Sequence, residues 1–163
     1  MKLLLISFVL LIFPLSILPT EKEAPLSKIS FKIFPAFEEG TLQLQIQNIQ
    51  TPKGFMKIAL FKGEETFLED TAAYKTASVA VTNKEVMTTF SNLPYGVYAV
   101  AIYHDINGNN KLDKNLVGVP KEPYCFSNNA RSKWGPPKFE VAKFSIDQPA
   151  VQMQVAVKKW IEQ

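Results

Sequence analysis

Apolar and polar residues alternate with a period of two along most of this chain, the pattern of half-buried β-strands. Residues 28–34 place Ile29, Phe31 and Ile33 against Lys28, Ser30 and Lys32, and residues 41–47 place Leu42, Leu44 and Ile46 against glutamines. After the turn signal Pro52-Lys53-Gly54 the pattern resumes at Met56, Ile58 and Leu60. Ala77, Val79 and Val81, then Val86, Thr88 and Phe90, flank Asn83-Lys84, which predicts a short hairpin and, with the preceding strands, a meander. Val97 to Tyr103 is apolar on both faces, as a strand in mid-sheet should be. Alternation returns from Phe139 to Ile146 with a change of register that predicts a bulge. A last strand points Val151, Met153, Val155 and Val157 inward and Gln152 and Gln154 outward.

Seven or eight short strands without helical periodicity predict an all-β protein, an antiparallel β-sandwich of immunoglobulin or transthyretin type with one long loop. That loop spans about residues 106–138, rich in Asn, Gly and Pro, and connections of that length in a compact domain usually carry function. The Lys158-Lys159-Trp160 tail reads as a solvated end.

The N-terminus departs from this pattern. Met1-Lys2 precedes a run from Leu3 to Leu18 that is apolar except at Ser7, Pro14 and Ser16, the arrangement of a secretory leader. Residues 1–20 are therefore expected to be a signal peptide or an N-terminal anchor, 21–40 an extension with an extra strand, and 41–158 the sandwich. The expected location is periplasmic or secreted, with contact to a membrane only through an uncleaved leader.

Composition narrows the field. The 163 residues are 47% hydrophobic and 20% charged, enough for one domain with one core. A net charge of +3 is spread along the chain without a basic run, which argues against nucleic acid as a partner. Cys125 is alone and lacks a flanking motif, so it reads as a buried structural thiol.

The strongest chemical signal is Asp105-Ile106-Asn107-Gly108-Asn109-Asn110-Lys111-Leu112-Asp113, with oxygen-bearing side chains at alternate positions. Calcium takes six to eight oxygens, and in a helix-flanked calcium loop they come from positions 1, 3, 5, 7, 9 and 12. Asp105, Asn107 and Asn109 occupy the first three, Lys111 would offer its carbonyl, and Asp113 occupies the ninth. Asn110 stands where Gly is usual and Leu116 where a bidentate Glu is usual, so a further oxygen must come from water or from a residue such as Glu122. Two formal negative charges predict a weak structural calcium site, with Kd on the order of 10⁻⁴ to 10⁻³ M.

A second cluster, Ser127, Asn128, Asn129, Arg131 and Trp134, combines amides, a guanidinium and an aromatic face, the equipment to bind a glycan or a peptide carboxylate. The competing reading is that these polar groups satisfy the loop's own backbone. Catalysis would need a nucleophile and a base. Ser127 lacks a nucleophile-elbow motif, and the single histidine, His104, shares strand parity with Tyr98, Val100 and Ile102, which points to core capping or to orienting a loop carbonyl. A hydrolase centred on these two is the weakest of the three readings. The leading one is a non-catalytic exported module that serves an envelope or extracellular partner.

Taken together, Leu93-Pro94-Tyr95-Gly96-Val97-Tyr98-Ala99-Val100, His104-Asp105 with its Asn/Gly loop, Gly118-Val119-Pro120-Lys121-Glu122, Phe126-Ser127-Asn128-Asn129-Ala130-Arg131, Gly135-Pro136-Pro137 and Phe139-Glu140 resemble domain of unknown function family 2141, small exported bacterial proteins. The resemblance covers roughly residues 41–158. It implies an exported β-sandwich similar to transthyretin-like and carboxypeptidase-regulatory-like domains, and no established activity.

Overall fold

The computed structural model describes residues 38–69 and 71–160. The expected leader and the expected strand at 28–34 lie outside them. Eight strands are present: β1 (Glu39–Gln47), β2 (Phe55–Lys62), β3 (Lys75–Ala80), β4 (Val86–Pro94), β5 (Gly96–Asp105), β6 (Tyr124–Phe126), β7 (Phe144–Ile146) and β8 (Ala150–Ala156). They form a three-stranded sheet in the order β4-β1-β8 and a five-stranded sheet in the order β3-β2-β5-β6, with β7 also on β5.

The inward residues of both sheets share one core. Leu42, Leu44 and Ile46 from β1 and Val155 from β8 meet Met56, Ile58 and Leu60 from β2 and Tyr98, Val100 and Ile102 from β5. Burial on β1 repeats every second residue, as the sequence pattern requires. β5 takes β2 along one edge and β6 and β7 along the other, so it does lie mid-sheet. Tyr98 anchors its start: the buried hydroxyl donates to the Pro94 carbonyl at 2.6 Å, a tie across the β4–β5 corner.

Four expectations are corrected. No β3–β4 hairpin forms, because β3 pairs β2 while β4 pairs β1. The Asn83-Lys84 connection instead crosses between sheets, with Val81 and Val86 buried on either side of it. The sandwich is not wholly antiparallel, since β1 and β8 run parallel in register from Thr41↔Ala150 to Gln47↔Ala156. The register change after Phe139 is one helical turn, α1 (Phe139–Ala142), rather than a bulge. Phe139 and Ala142, three residues apart, are both buried, while Val141 between them is exposed, a helical rather than an extended spacing. The tail is docked, not solvated: Lys158 pairs with Tyr124 through both backbone groups, and Trp160 packs on a second apolar cluster outside the five-stranded sheet.

The long connection is also shorter than expected, because β6 threads into the sheet beside β5 at Tyr103↔Tyr124, Ile102↔Cys125 and Ala101↔Phe126. This divides it into 106–123 and 127–138, each rooted on the same central strand.

Candidate functional site

Asp105 is the last residue of β5 and fully buried. Its carboxylate gathers the loop that follows: Oδ1 accepts from the N–H groups of Gly108 at 2.8 Å and Asn109 at 3.1 Å, and Oδ2 from Asn110 at 2.9 Å. Three backbone donors on one carboxylate curl the chain tightly, and Gly108 (φ 75°) and Asn110 (φ 63°) supply the left-handed angles that the curl needs. Asn at the sixth position therefore does the work of the usual Gly. Asn107 Oδ1 and Asn109 Oδ1 each accept from the N–H two residues on, at 3.0 and 2.8 Å. Their Nδ2 groups donate to Asp113 Oδ2 and Oδ1 at 2.7 and 3.0 Å. Asp105, Asn107, Asn109 and Asp113 thus converge, while Lys111 contributes its N–H to Asn109 Oδ1 and borders the neighbouring surface.

Glu122 closes the loop by another route than metal ligation. It is buried, and its two oxygens accept from Ile106 N at 2.9 Å and Asp113 N at 3.1 Å, clamping the start of the loop to its end. Leu116, at the twelfth position of the calcium pattern, is fully exposed and takes no part. Among the described residues no group of three or more His, Cys, Asp or Glu side chains is placed to hold a metal ion.

The root of the loop is locked from below. His104 is fully buried and pairs through Nε2 with the Lys53 carbonyl at 2.8 Å. This is the loop-carbonyl role that strand parity suggested, and it presses the 51–54 turn onto the end of β5. Gly54 lies there at φ 73°, and a Cβ would strike the Asp105 carbonyl oxygen and come within 2.9 Å of Ile106 Cα.

The second cluster is held by the fold's own backbone. Ser127 is fully buried; its hydroxyl accepts from Val100 N at 2.9 Å and donates to the Ala142 carbonyl at 2.5 Å. Asn128 Nδ2 donates to the Lys143 carbonyl at 2.8 Å, and Asn129 Oδ1 accepts from Ala156 N at 2.8 Å. Both asparagines take left-handed backbone angles, φ 59° and 51°, which turn the chain sharply after β6. Arg131 lies over the Tyr124 ring, 5.1 Å from its centroid, and donates to the Tyr124 carbonyl at 3.3 Å. Trp134 is 88% exposed, and Asn128 and Asn129 are exposed as well. The Ser127 hydroxyl, Asn128 Nδ2 and Asn129 Oδ1 are thus taken up by the backbone, while Arg131 Nη1 is buried without a hydrogen-bond partner.

No hydrogen bond joins His104 to Ser127 among the described residues. Cys125 is buried between the sheets, and desolvation pushes its thiol up to about 12 although Arg131 pulls the other way. It is a structural thiol, as expected.

The neighbouring surface escaped sequence reasoning. On the outer face of the five-stranded sheet a cleft of about 940 Å³ opens between the 108–120 segment and the β2–β3 connection. Its floor is made of residues with no chemical signature, which is why no motif announced it.

No curated protein and no solved structure matches the chain. A family model matches residues 44–154, from β1 into β8 and through both loops described above. By that match the chain belongs to a family of uncharacterised proteins conserved in bacteria, DUF2141.

Proposed function

We propose that this chain is a non-catalytic module of the bacterial cell envelope, exported by its apolar leader, whose Asp105–Asp113 loop is a weak structural calcium clip. The observation that carries the calcium reading is the meeting of Asn107 and Asn109 with Asp113 above the Asp105 carboxylate, which gathers positions 1, 3, 5 and 9 of the calcium pattern. Rotation of the two amides would turn their oxygens toward a cation shared with Asp113. Such a clip would rigidify the segment between β5 and β6. The non-catalytic reading is supported by the burial of Ser127, His104 and Cys125, with the Ser127 hydroxyl and His104 Nε2 bonded to backbone.

Asp113 is the residue to test. Asp105→Ala would orphan three loop N–H groups and destabilise the domain with or without a metal. Calcium titrated calorimetrically into chelator-treated protein should give heat and a raised melting temperature, and Asp113→Ala should lose both. Absence of heat and of a melting shift in the unaltered protein rejects the clip. A serine-directed fluorophosphonate should leave Ser127 unlabelled; stoichiometric labelling would reject the non-catalytic reading. Fractionation of the full chain should place it outside the cytoplasm, and cytoplasmic retention would reject export.

A further inference from the structure

We infer that the cleft on the outer face of the five-stranded sheet is a binding site for a small organic oxyanion with a flat apolar body. Strand register builds its floor. One row across the sheet reads Thr76–Ala59–Ala101–Phe126, and the next reads Ser78–Lys57–Tyr103–Tyr124, two residues further along each strand and therefore about 7 Å away. Small residues on three adjacent strands leave a trough where a sheet would ordinarily carry long side chains. Phe126 and Tyr124, both largely buried, border one side of it.

The trough has a cationic end. Lys57 Nζ is held by Ser78 Oγ at 2.9 Å and Asn110 Oδ1 at 2.6 Å, both neutral acceptors that fix the ammonium without neutralising it. Lys111 and Lys114 border the same cleft from the neighbouring loop. Among the described residues none of these three lysines is ion-paired. Among the described residues Glu69 is the one carboxylate on the border, and it belongs to the β2–β3 connection, which leaves the opposite end of β2 from Lys57. An amphiphile with its oxyanion at Lys57 and its ring over Ala59 and Ala101 matches both charge and shape, and a cleft of about 940 Å³ is of the size that holds such molecules. Carboxylates, sulfonates and phosphate esters share this chemistry.

The test uses anilinonaphthalene sulfonate as the anionic probe and N-phenyl-naphthylamine, its uncharged relative, on the folded protein. The sulfonate should bind one saturable site at least tenfold more tightly than the amine. Lys57→Met should weaken the sulfonate about tenfold and leave the amine within twofold. Ala101→Leu, which fills the trough, should abolish both; should it fail to fold, Thr76→Leu fills the same row from the edge strand. Equal affinity for the two probes, or sulfonate binding that survives a folded filling variant, overturns the inference. So does the absence of saturable binding.

Discussion

Ser127→Ala isolates what one buried hydroxyl does for this sheet. β6 covers β5 from Ala101 to Tyr103 and β7 covers it from Gly96 to Tyr98, which leaves an unpaired gap on that edge at Ala99 and Val100. Ser127 fills the gap by accepting from Val100 N and passing its own proton to the Ala142 carbonyl at the end of α1. Alanine removes both bonds and strands two backbone groups at a fully buried position. Each orphaned group costs about 1–3 kcal/mol, so a net loss of about 2–4 kcal/mol is expected. With a urea m value of about 1–3 kcal/mol/M, the midpoint should fall by roughly 1–3 M while m stays constant. Ser132→Ala, with its hydroxyl on a half-buried turn, should change stability by less than about 0.5 kcal/mol. Urea denaturation followed by tryptophan fluorescence and circular dichroism provides the comparison. A Ser127→Ala loss no larger than that of Ser132→Ala would refute the bridging argument and return Ser127 to the list of residues free for chemistry.

Three further outcomes are expected. Gly54→Ala combines a left-handed φ with a collision against the Asp105 backbone, so it should cost more than about 3 kcal/mol or prevent folding; an unchanged thermal melt would refute the close approach. Burial pushes both the Cys125 thiol and the Tyr98 hydroxyl up to about 12, so the folded state holds protons that the unfolded chain releases earlier. Their stabilising contribution is fully present below about pH 9 and is lost as pH rises from there toward about 12, which a set of urea midpoints across that range would register as a steady fall. Iodoacetamide at pH 8 should modify Cys125 only after denaturation, and rapid native labelling would show that the thiol is accessible.

Strand positions were legible because burial on one face leaves a period-two trace, which β1 and β8 carry, while β5 was legible as a run apolar on both faces. His104 could be assigned inward by the same parity, and Asn110 could be accepted at a left-handed position from its side-chain chemistry. Pairing was not legible. Val79, Val81, Val86 and Thr88 alternate alike whether the next strand is a hairpin partner or lies across the core, and the outcome depends on contacts made by Val81 and Ile49 backbone groups with Gly54 and Lys84. The role of Glu122 was hidden for a related reason. A carboxylate near a loop in sequence can ligate a cation or accept N–H groups, and only the folded distances to Ile106 and Asp113 distinguish the two. The cleft left the faintest trace, since Ala59, Ala101 and Thr76 matter through the volume they lack.

The parallel contact between β1 and β8 sets a timetable for the chain. β1 is the middle strand of its sheet, and Gln43 meets Gln152 across a separation of 109 residues. At a synthesis rate of about 5–20 residues per second, roughly 5–20 s pass between the appearance of one partner and the other. Throughout that interval β1, which carries Leu42, Leu44 and Ile46, has only β4 beside it, and the edge that β8 covers stays open. Completion of the three-stranded sheet thereby waits for the last described strand.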